Sequence, residues 1–524
     1  MHFWIHLPVG IVRLFLPALA VVSTLAPIGR ASGNGFALLS EEGLRTHVER
    51  FNGMEDEPVV NLVPNAGAAD WLAPRVPRFE CADPEVTEMY WFRWWALRKH
   101  LRLDASSGRR VFTEFITRSR PISSALGHHV MEARWLRDQE ILDEYVRYWL
   151  RGNGGKPQEH LHRFSQWLAF ALWERWKVTG DTAGAADLLD DLVADYRTWE
   201  REQMRPDGLF WQYDVRDAME ESISGGRKVK NVRPTINSYM CGNAAAIAGM
   251  ARFAGRPKIE KEFSEKSRFL RETIMATLWN PELGFFGSAD ENLHPILVRE
   301  AIGFIPWYFS IPERGRGYES AWGQFIDTAG FRASWGLMTA ERRHPAFRSH
   351  GVGTCEWDGA VWPFATSQTL TALANVLSDG GTAPVTQRDY FDAFVAYTRS
   401  QNRDGRPYIG EYQDENTGAW LKGGDPRSRW YNHSTYADLL ITGIVGVRPA
   451  EGDELTVAPL LPEGTWAWFC LDGVRVRGGD ITVIWDRDGT RYGKGAGLQV
   501  WLGGRVVAKS DRLGALKVPL GRLP

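Results

Sequence analysis

The sequence predicts a mainly α-helical protein, in which stacked helix pairs close into a ring, followed by a small antiparallel β domain. Between residues 87 and 446 apolar residues recur at three- and four-residue steps, the period of an amphipathic helix. After residue 447 apolar and polar residues alternate, and Gly and Asp-Gly turns separate the runs. About 360 helical residues exceed a simple four-helix bundle, so a closed ring of paired helices is expected.

Length and composition agree with this architecture. A chain of 524 residues is too long for one typical core and suggests two or three domains, or one large ring plus a small domain. The net charge of −2 gives no electrostatic footprint for nucleic acid or for acidic membranes. The 24 Trp residues indicate either a large core or a groove that stacks sugar rings, and composition alone favours the core.

The N-terminal segment, residues 1–32, resembles a secretory signal peptide. His and Arg residues precede an apolar run at 14–26, and small residues surround Ala31. The alternative is a membrane anchor, but the run is short for a span and Pro17 interrupts it. We therefore expect a secreted or periplasmic protein that has no stable membrane insertion after signal removal. Residues 33–86 are rich in Pro and are predicted to form an irregular arm around the ring.

The ring domain is predicted at residues 87–448. Its clearest helical pattern is "QEHLHRFSQWLAFALWERWKVTG", residues 158–180, which ends at a Gly. Further helices are predicted at 185–204, 237–255, 259–278, 361–377, 388–401 and 433–446.

A weak internal repeat supports the ring. Three times a helix end is followed by a Gly turn, aromatic residues and an acid: "RPDGLFWQYD", "NPELGFFGSAD" and "NRDGRPYIGEYQD". The residue six positions after each Gly is Asp214, Asp290 and Glu411. We therefore expect each unit to place a loop on a common rim. Residues 449–524 form the predicted β domain.

Three predicted loops concentrate carboxylates and aromatic residues. They contain Asp214, Asp217, Glu220 and Glu221; then Glu356 and Asp358; then Glu411, Asp414 and Glu415. No His or Cys stands near them at metal-ligand spacing, and the four cysteines form no C-x-x-C pair, so no metal or other cofactor is predicted. Two carboxylates from distant loops facing an aromatic groove suit glycoside hydrolysis. For any single acid, a solvated loop charge or an ion-pair partner is the simpler interpretation.

The order of these motifs resembles the (α/α)6-barrel glycosidases of glycoside hydrolase clan G, which include family 63 α-glucosidases, mannosylglycerate hydrolase-like proteins and trehalases. "AMEESISG" resembles the family's general-acid loop, and "WDGAVWPFATSQTL" resembles the helix start that lines its sugar site. "GEYQDENTGAW" resembles its general-base loop, and "YNHSTYADLLI" resembles the helix that follows it. The resemblance covers most of residues 200–446 and implies an (α/α)6 toroid.

By position, the resemblance makes Glu411 the general base and Glu220 the general acid. The family has Asp where this chain has Glu220, so Asp217 is a rival acid and Asp214 a weaker one. The family's inverting mechanism requires water between the two carboxyls. It also requires an acid whose pKa is raised by burial or by a neighbouring carboxylate.

The resemblance also predicts residues that bind substrate. Trp357, Asp358 and Trp362 fall on the sugar-binding helix start. The other predicted contacts are Arg233, Tyr412, Trp211 and His433, although His433 fits a core position equally well.

The predicted function is an exported, inverting, exo-acting glycosidase that hydrolyses an α-linked glycoside or oligosaccharide. One alternative on the same fold is an α-L-rhamnosidase or arabinofuranosidase-type hydrolase. Two others are a polysaccharide lyase, which needs a Tyr/His or Tyr/Arg pair, and a carbohydrate-binding protein without catalysis.

Overall fold

The protein is described by a computed structural model that covers residues 36–520 except 352, 379, 381–383, 423 and 425. The predicted signal peptide lies outside the described residues. The helices are α1 (Glu42–Asn52), α2 (Ala68–Leu72), α3 (Pro84–Lys99), α4 (Leu126–Ala133), α5 (Glu140–Arg151), α6 (Leu168–Thr179), α7 (Thr182–Gln203), α8 (Pro234–Phe253), α9 (Pro257–Thr277), α10 (Ile305–Tyr308), α11 (Gly323–Ile326), α12 (Pro363–Ser378), α13 (Gln387–Ser400) and α14 (Ala437–Leu439).

Short strands occur between the helices, and longer ones follow them. They are β1 (Arg78–Cys81), β2 (Leu101–Leu103), β3 (Arg110–Phe112), β4 (Trp211–Gln212), β5 (Asn231–Val232), β6 (Trp279–Asn280), β7 (Phe285–Phe286), β8 (Arg332–Ala333), β9 (Gly336–Leu337), β10 (Asn402–Arg403), β11 (Arg406–Pro407), β12 (Val447–Pro449), β13 (Glu454–Val457), β14 (Trp468–Val476), β15 (Gly479–Asp486), β16 (Gly497–Leu502), β17 (Arg505–Ser510) and β18 (Leu516–Pro519).

The inner wall of the ring consists of α4, α6, α8, α10, α12 and α14. Each of these helices packs on the next, and α14 packs back on α4, which closes the circle. In the outer layer α7 and α9 pack on α8, α13 packs on α12, and α3 packs on α13 and α14. The predicted (α/α)6 toroid with a C-terminal antiparallel β domain is confirmed.

Residue composition separates the two layers. Inner helix α8 is buried on nearly all sides and is rich in Ala, with two Gly that allow close packing. A Cβ atom at Gly242 would lie 2.2 Å from the Phe309 ring, so only glycine permits this approach. Outer helices such as α9 bury one face, which includes Phe263, Leu270 and Ile274, and expose charges on the other.

Two predicted helices are shorter in the structure. The pattern at residues 158–180 yields α6 only from Leu168, because the Ser165 amide donates to the Arg216 carbonyl at 2.8 Å and Ser165 lies in a loop. The pattern at 433–446 yields α14 and a single π-helical turn at Leu440–Ile444. Helical periodicity therefore located both segments but did not predict where each helix begins or ends.

The arm is more regular than the sequence predicts. It contains α1 and α2, and β1 pairs antiparallel with β14 at the edge of the five-stranded sheet β1-β14-β15-β16-β17. Phe36 also stacks on Trp501, with ring centroids 5.2 Å apart. The arm thus completes the C-terminal β domain, whose second sheet is β12-β13-β18. Backbone pairing across the domain boundary leaves no mark in local sequence.

The repeated Gly turns form hairpins. Gly284 connects β6 to β7, and Gly405 connects β10 to β11. Gly208 lies between the bridged residues Met204 and Phe210. The φ angles of the three glycines are +84°, +58° and +74° in chain order, which is the left-handed region that glycine adopts without strain. No helix of the described residues is long and apolar enough to span a membrane.

Candidate active site

A cavity of about 300 Å³ is lined by three carboxyl side chains from separate segments of the chain. Glu114 follows strand β3, Glu220 lies between β4 and β5, and Glu411 follows β11. Trp362, immediately before α12, and His433, shortly before α14, also line it. The structure therefore brings Glu220 and Glu411, the predicted acid and base, into one site.

The Glu411 carboxylate contacts two cationic side chains. Its Oε2 lies 3.3 Å from both the Lys422 ammonium and the Arg427 guanidinium. The Ser428 hydroxyl lies 3.4 Å from the same oxygen. These contacts compensate the negative charge of a residue that is only 5% exposed.

Glu220 lies in a loop with a strained backbone. Its neighbours Ala218 and Glu221 have φ angles of +60° and +61°, a region that non-glycine residues rarely adopt. Burial, together with the negative charge of Glu411, raises the pKa of Glu220. A raised pKa is the property that a general acid needs.

Glu114 is a third carboxyl group in the cavity, which the sequence motifs did not indicate. Burial and the charges of Glu411 and Glu220 raise the pKa of Glu114 to about 8, although a hydrogen bond with Tyr431 opposes the shift. The Asn432 amide donates to the Glu114 carbonyl at 3.0 Å and so anchors this loop. The available signal was a single acid within the apolar run "VFTEFI", residues 111–116.

Three aromatic rings form a stack beside the cavity. Trp362 lies between Trp357, at a centroid distance of 4.5 Å, and Tyr412, at 4.4 Å. Its indole Nε1 donates to the Glu356 carbonyl at 3.0 Å. Trp362 reaches the cavity, whereas Trp357 and Tyr412 do not line it and instead support Trp362 from either side.

Asp358 does not line the cavity either, although the sequence placed it at the sugar site. Its side chain is fully buried, and its Oδ2 contacts the His350 ring Nδ1 and accepts from the His350 amide, both at 3.0 Å. Through its Oδ2 the carboxylate therefore anchors the segment before α12.

Asp217, the rival acid, is also outside the cavity lining. Its Oδ2 accepts from Arg233 Nε at 2.8 Å and its Oδ1 accepts from the Ser165 hydroxyl at 2.6 Å. Thr235 donates a further hydrogen bond. Both side chains are fully buried in this pair, so neither is available to a sugar. The sequence had predicted Asp217 as a rival acid and Arg233 as a substrate contact.

Of the remaining predicted residues, His433 lines the cavity and Asp214 and Trp211 do not. Asp214, the weaker rival, is 1% exposed and does not line the cavity. Trp211 lies on β4 with the Lys230 ammonium 4.4 Å from its ring centroid, also away from the cavity. His433 lines the cavity and is enclosed by aromatic rings, with Tyr431 at a centroid distance of 4.2 Å. Burial lowers the pKa of His433 well below its ordinary value, which keeps the ring neutral.

Cys355 places a thiol in the cavity lining. The Lys422 ammonium donates to its Sγ at 2.8 Å and so links Cys355 to Glu411. The four cysteines are unpaired in the described structure. Among the described residues, no group of three His, Cys, Asp or Glu side chains is placed to hold a metal ion.

Comparison with known proteins gives two family matches. Residues 119–434 match the mannosylglycerate hydrolase MGH1-like glycoside hydrolase domain. Residues 447–508 match the C-terminal domain of glycosyl hydrolase family 65. The first match spans the segments that carry Glu220 and Glu411, and the second overlaps most of the predicted β domain, residues 449–524.

Solved structures extend the comparison. A protein named sialidase is 45% identical over 93% of this chain, with a TM-score of 0.89, and this chain covers 45% of that protein's length. The GH63 mannosylglycerate hydrolase from Thermus thermophilus in complex with Tris is 15% identical over 68% of this chain and 100% of its own, with a TM-score of 0.50. The GH78 family rhamnosidase of Bacillus sp. GL1 is 14% identical over 81% of this chain and 41% of its own, with a TM-score of 0.55. The last two similarities concern the fold alone.

Proposed function

Because the chain belongs to the mannosylglycerate hydrolase MGH1-like glycoside hydrolase family, we propose that it is an exported, exo-acting and inverting hydrolase of α-linked glycosides. Glu411 is the general base and Glu220 the general acid. The observation that carries the proposal is that both carboxyl groups line one cavity, although 191 positions separate Glu220 from Glu411 (411 − 220).

The environment of Glu411 supports its role as base. Lys422 and Arg427 each contact Oε2 at 3.3 Å and hold the carboxylate in the cavity, where it accepts a proton from an attacking water. The water attacks the anomeric carbon from the face opposite the leaving oxygen. Inversion follows because no covalent bond to the protein is formed.

The environment of Glu220 supports its role as acid. Glu220 has no ion-pair partner among the described residues, and its pKa is raised by burial and by Glu411. The protonated carboxyl donates its proton to the glycosidic oxygen as the bond breaks. Glu114, whose pKa is raised to about 8, is then a second neutral carboxyl that donates a hydrogen bond to the sugar.

The size of the cavity supports exo action. A volume of about 300 Å³ lies at the lower end of ligand pockets, about 300–1,000 Å³, so the site suits a terminal sugar better than an internal segment of a long chain. Trp362 presents the edge of its indole ring to that sugar, because Trp357 and Tyr412 stack on its two faces and fix its position. Export is supported by the sequence of residues 1–32.

A screen of the purified protein against an oligosaccharide library, analysed by mass spectrometry, tests the proposed activity. Release of one terminal sugar at a time from α-linked oligosaccharides is expected, and the Glu411→Gln protein should release none. Internal cleavage would contradict exo action. If the Glu411→Gln protein released the sugar at the wild-type rate, the assignment of Glu411 as the base would be wrong.

Stereochemistry is tested on the substrate found by this screen. Proton NMR of the first product should show the β-anomer if an α-glycoside is hydrolysed with inversion. The same spectra identify the released sugar and so distinguish an α-glycosidase from a rhamnosidase or arabinofuranosidase-type hydrolase. A first-formed α-anomer would contradict inversion.

A further inference from the structure

Three arginine side chains line the cavity together with the carboxyl groups. They are Arg118, Arg120 and Arg163, and all three are exposed residues. Glu114 and Glu411, in contrast, are 6% and 5% exposed. The cavity therefore has a buried acidic end, the floor, formed by Glu114 and Glu411, and an exposed cationic end, the mouth, formed by Arg118, Arg120 and Arg163.

Neutral groups hold these guanidinium groups in place. Arg120 Nη2 donates to His160 Nδ1 at 2.9 Å, and burial together with Arg120 lowers the pKa of His160 to about 4, so the imidazole is a neutral acceptor. Arg118 lies 5.0 Å from the centroid of the Phe115 ring. Arg163 lies 5.8 Å from the centroid of the Phe164 ring. Contacts of this kind orient a guanidinium without neutralising its charge.

The charges of these arginines are uncompensated. Within the described part of the chain, none of the three forms an ion pair with a carboxylate. Arg427, a fourth arginine of the lining, differs because Glu411 contacts it at 3.3 Å. An arginine that has neutral neighbours and free donors at the mouth of a cavity is suited to an incoming anion.

We propose that the mouth binds an acidic group on the leaving-group sugar, either a uronate carboxylate or a sulfate ester. This inference rests on the proposed exo-hydrolase function. In an exo-acting enzyme the terminal sugar occupies the floor beside Glu220 and Glu411, and the leaving-group sugar lies toward solvent. Arg118, Arg120 and Arg163 are therefore next to the sugar that departs, and the substrate class is an acidic oligosaccharide or polysaccharide.

Binding to the inactive Glu411→Gln protein tests the inference without depending on turnover. We would measure the affinities of galacturonate, galactose 6-sulfate and galactose, and of glucuronate and glucose, by titration calorimetry or saturation-transfer NMR. The acidic sugars should bind at least about tenfold more tightly than their neutral counterparts, and high salt should reduce the difference. Whether the carboxylate or the sulfate binds more tightly identifies the acidic group.

Variants locate the site. Arg118→Gln, Arg120→Gln and Arg163→Gln, alone and combined, should lower affinity for the acidic sugars toward that of the neutral ones while galactose and glucose binding stays the same. Arg505→Gln is the matched control, because Arg505 is an exposed arginine at the start of β17 and does not line the cavity.

Equal affinity for acidic and neutral sugars, or no measurable binding of either, overturns the inference. A preference that survives the triple substitution places the anion elsewhere and also overturns it. These results leave the hydrolase proposal intact if the library screen detects release of neutral sugars. A preference for acidic sugars without any release of product would contradict the hydrolase proposal alone.

Discussion

The Arg233 guanidinium and the Asp217 carboxylate form a buried ion pair, with Nε 2.8 Å from Oδ2 and both side chains at 0% exposure. Asp217 precedes the candidate acid Glu220 by three residues, and Arg233 is the residue before α8. The pair therefore ties the loop that carries Glu220 to the inner wall of the ring.

Removal of one partner of this pair should destabilise the protein. Asp217→Asn is expected to lower the free energy of unfolding by roughly 3–5 kcal/mol, because the fully buried Arg233 guanidinium loses the carboxylate that contacts it. Urea denaturation measures the change. The control is Glu221→Gln, which breaks the more exposed Glu221–Arg227 pair of the same loop and should cost about 1 kcal/mol or less. Equal costs for the two variants would contradict the proposed role of the buried pair.

Substitution of Glu220 should affect substrates according to their leaving groups. Glu220→Gln cannot donate a proton, so hydrolysis of an oligosaccharide should fall by about 10²–10⁴-fold. Hydrolysis of an aryl glycoside with an acidic phenol should fall much less, since that leaving group departs without protonation. Steady-state rates on both substrates check this. A similar loss on both would show that Glu220 is not the acid, and Glu114→Gln would then be the next variant to compare.

Glu114 should make stability depend on pH. Its folded-state pKa of about 8 exceeds the ordinary value of about 4.3 for Glu, so the folded protein retains a proton that the unfolded chain has released. Stability should therefore fall as pH rises from about 4 to 8. Glu114→Gln removes this loss of stability. The difference between the thermal midpoints of the variant and the wild type, variant minus wild type, should therefore increase as pH rises from about 4 to 8. Glu463→Gln, at an exposed position, should show no such trend.

Cys355 should be the first cysteine to react with a small alkylating reagent. It lines the cavity, whereas Cys81, Cys241 and Cys470 are buried. Burial and the charges of Glu220 and Glu411 raise the pKa of its thiol, so alkylation by iodoacetamide should accelerate at alkaline pH. Peptide mapping identifies the modified residue, and bound substrate should slow the reaction. Cys355→Ser should resist inactivation. Modification of another cysteine first would contradict the cavity geometry.

The sequence by itself determined the architecture, and it indicated Glu411 as the candidate base and Glu220, Asp217 or Asp214 as the candidate acid. Helical periodicity and the later alternation of apolar residues predicted the ring and the β domain, because each pattern follows from which side of a helix or strand is buried. The motif order indicated Glu411 and Glu220, and Trp362 with them. These residues belong to loops whose local sequence is distinctive.

Tertiary structure decided which acids and aromatic residues face the cavity. Asp217, Asp358, Arg233 and Trp357 stand beside site residues in the chain, yet they are buried in ion pairs or ring stacks within the protein. Asp217 also accepts a hydrogen bond from Ser165, a residue 52 positions earlier. Glu114 has no motif, and its place in the cavity depends on contacts with Asn432 and Tyr431. The direction of a loop side chain is set by such long-range hydrogen bonds and packing, and no local pattern in the sequence encodes them.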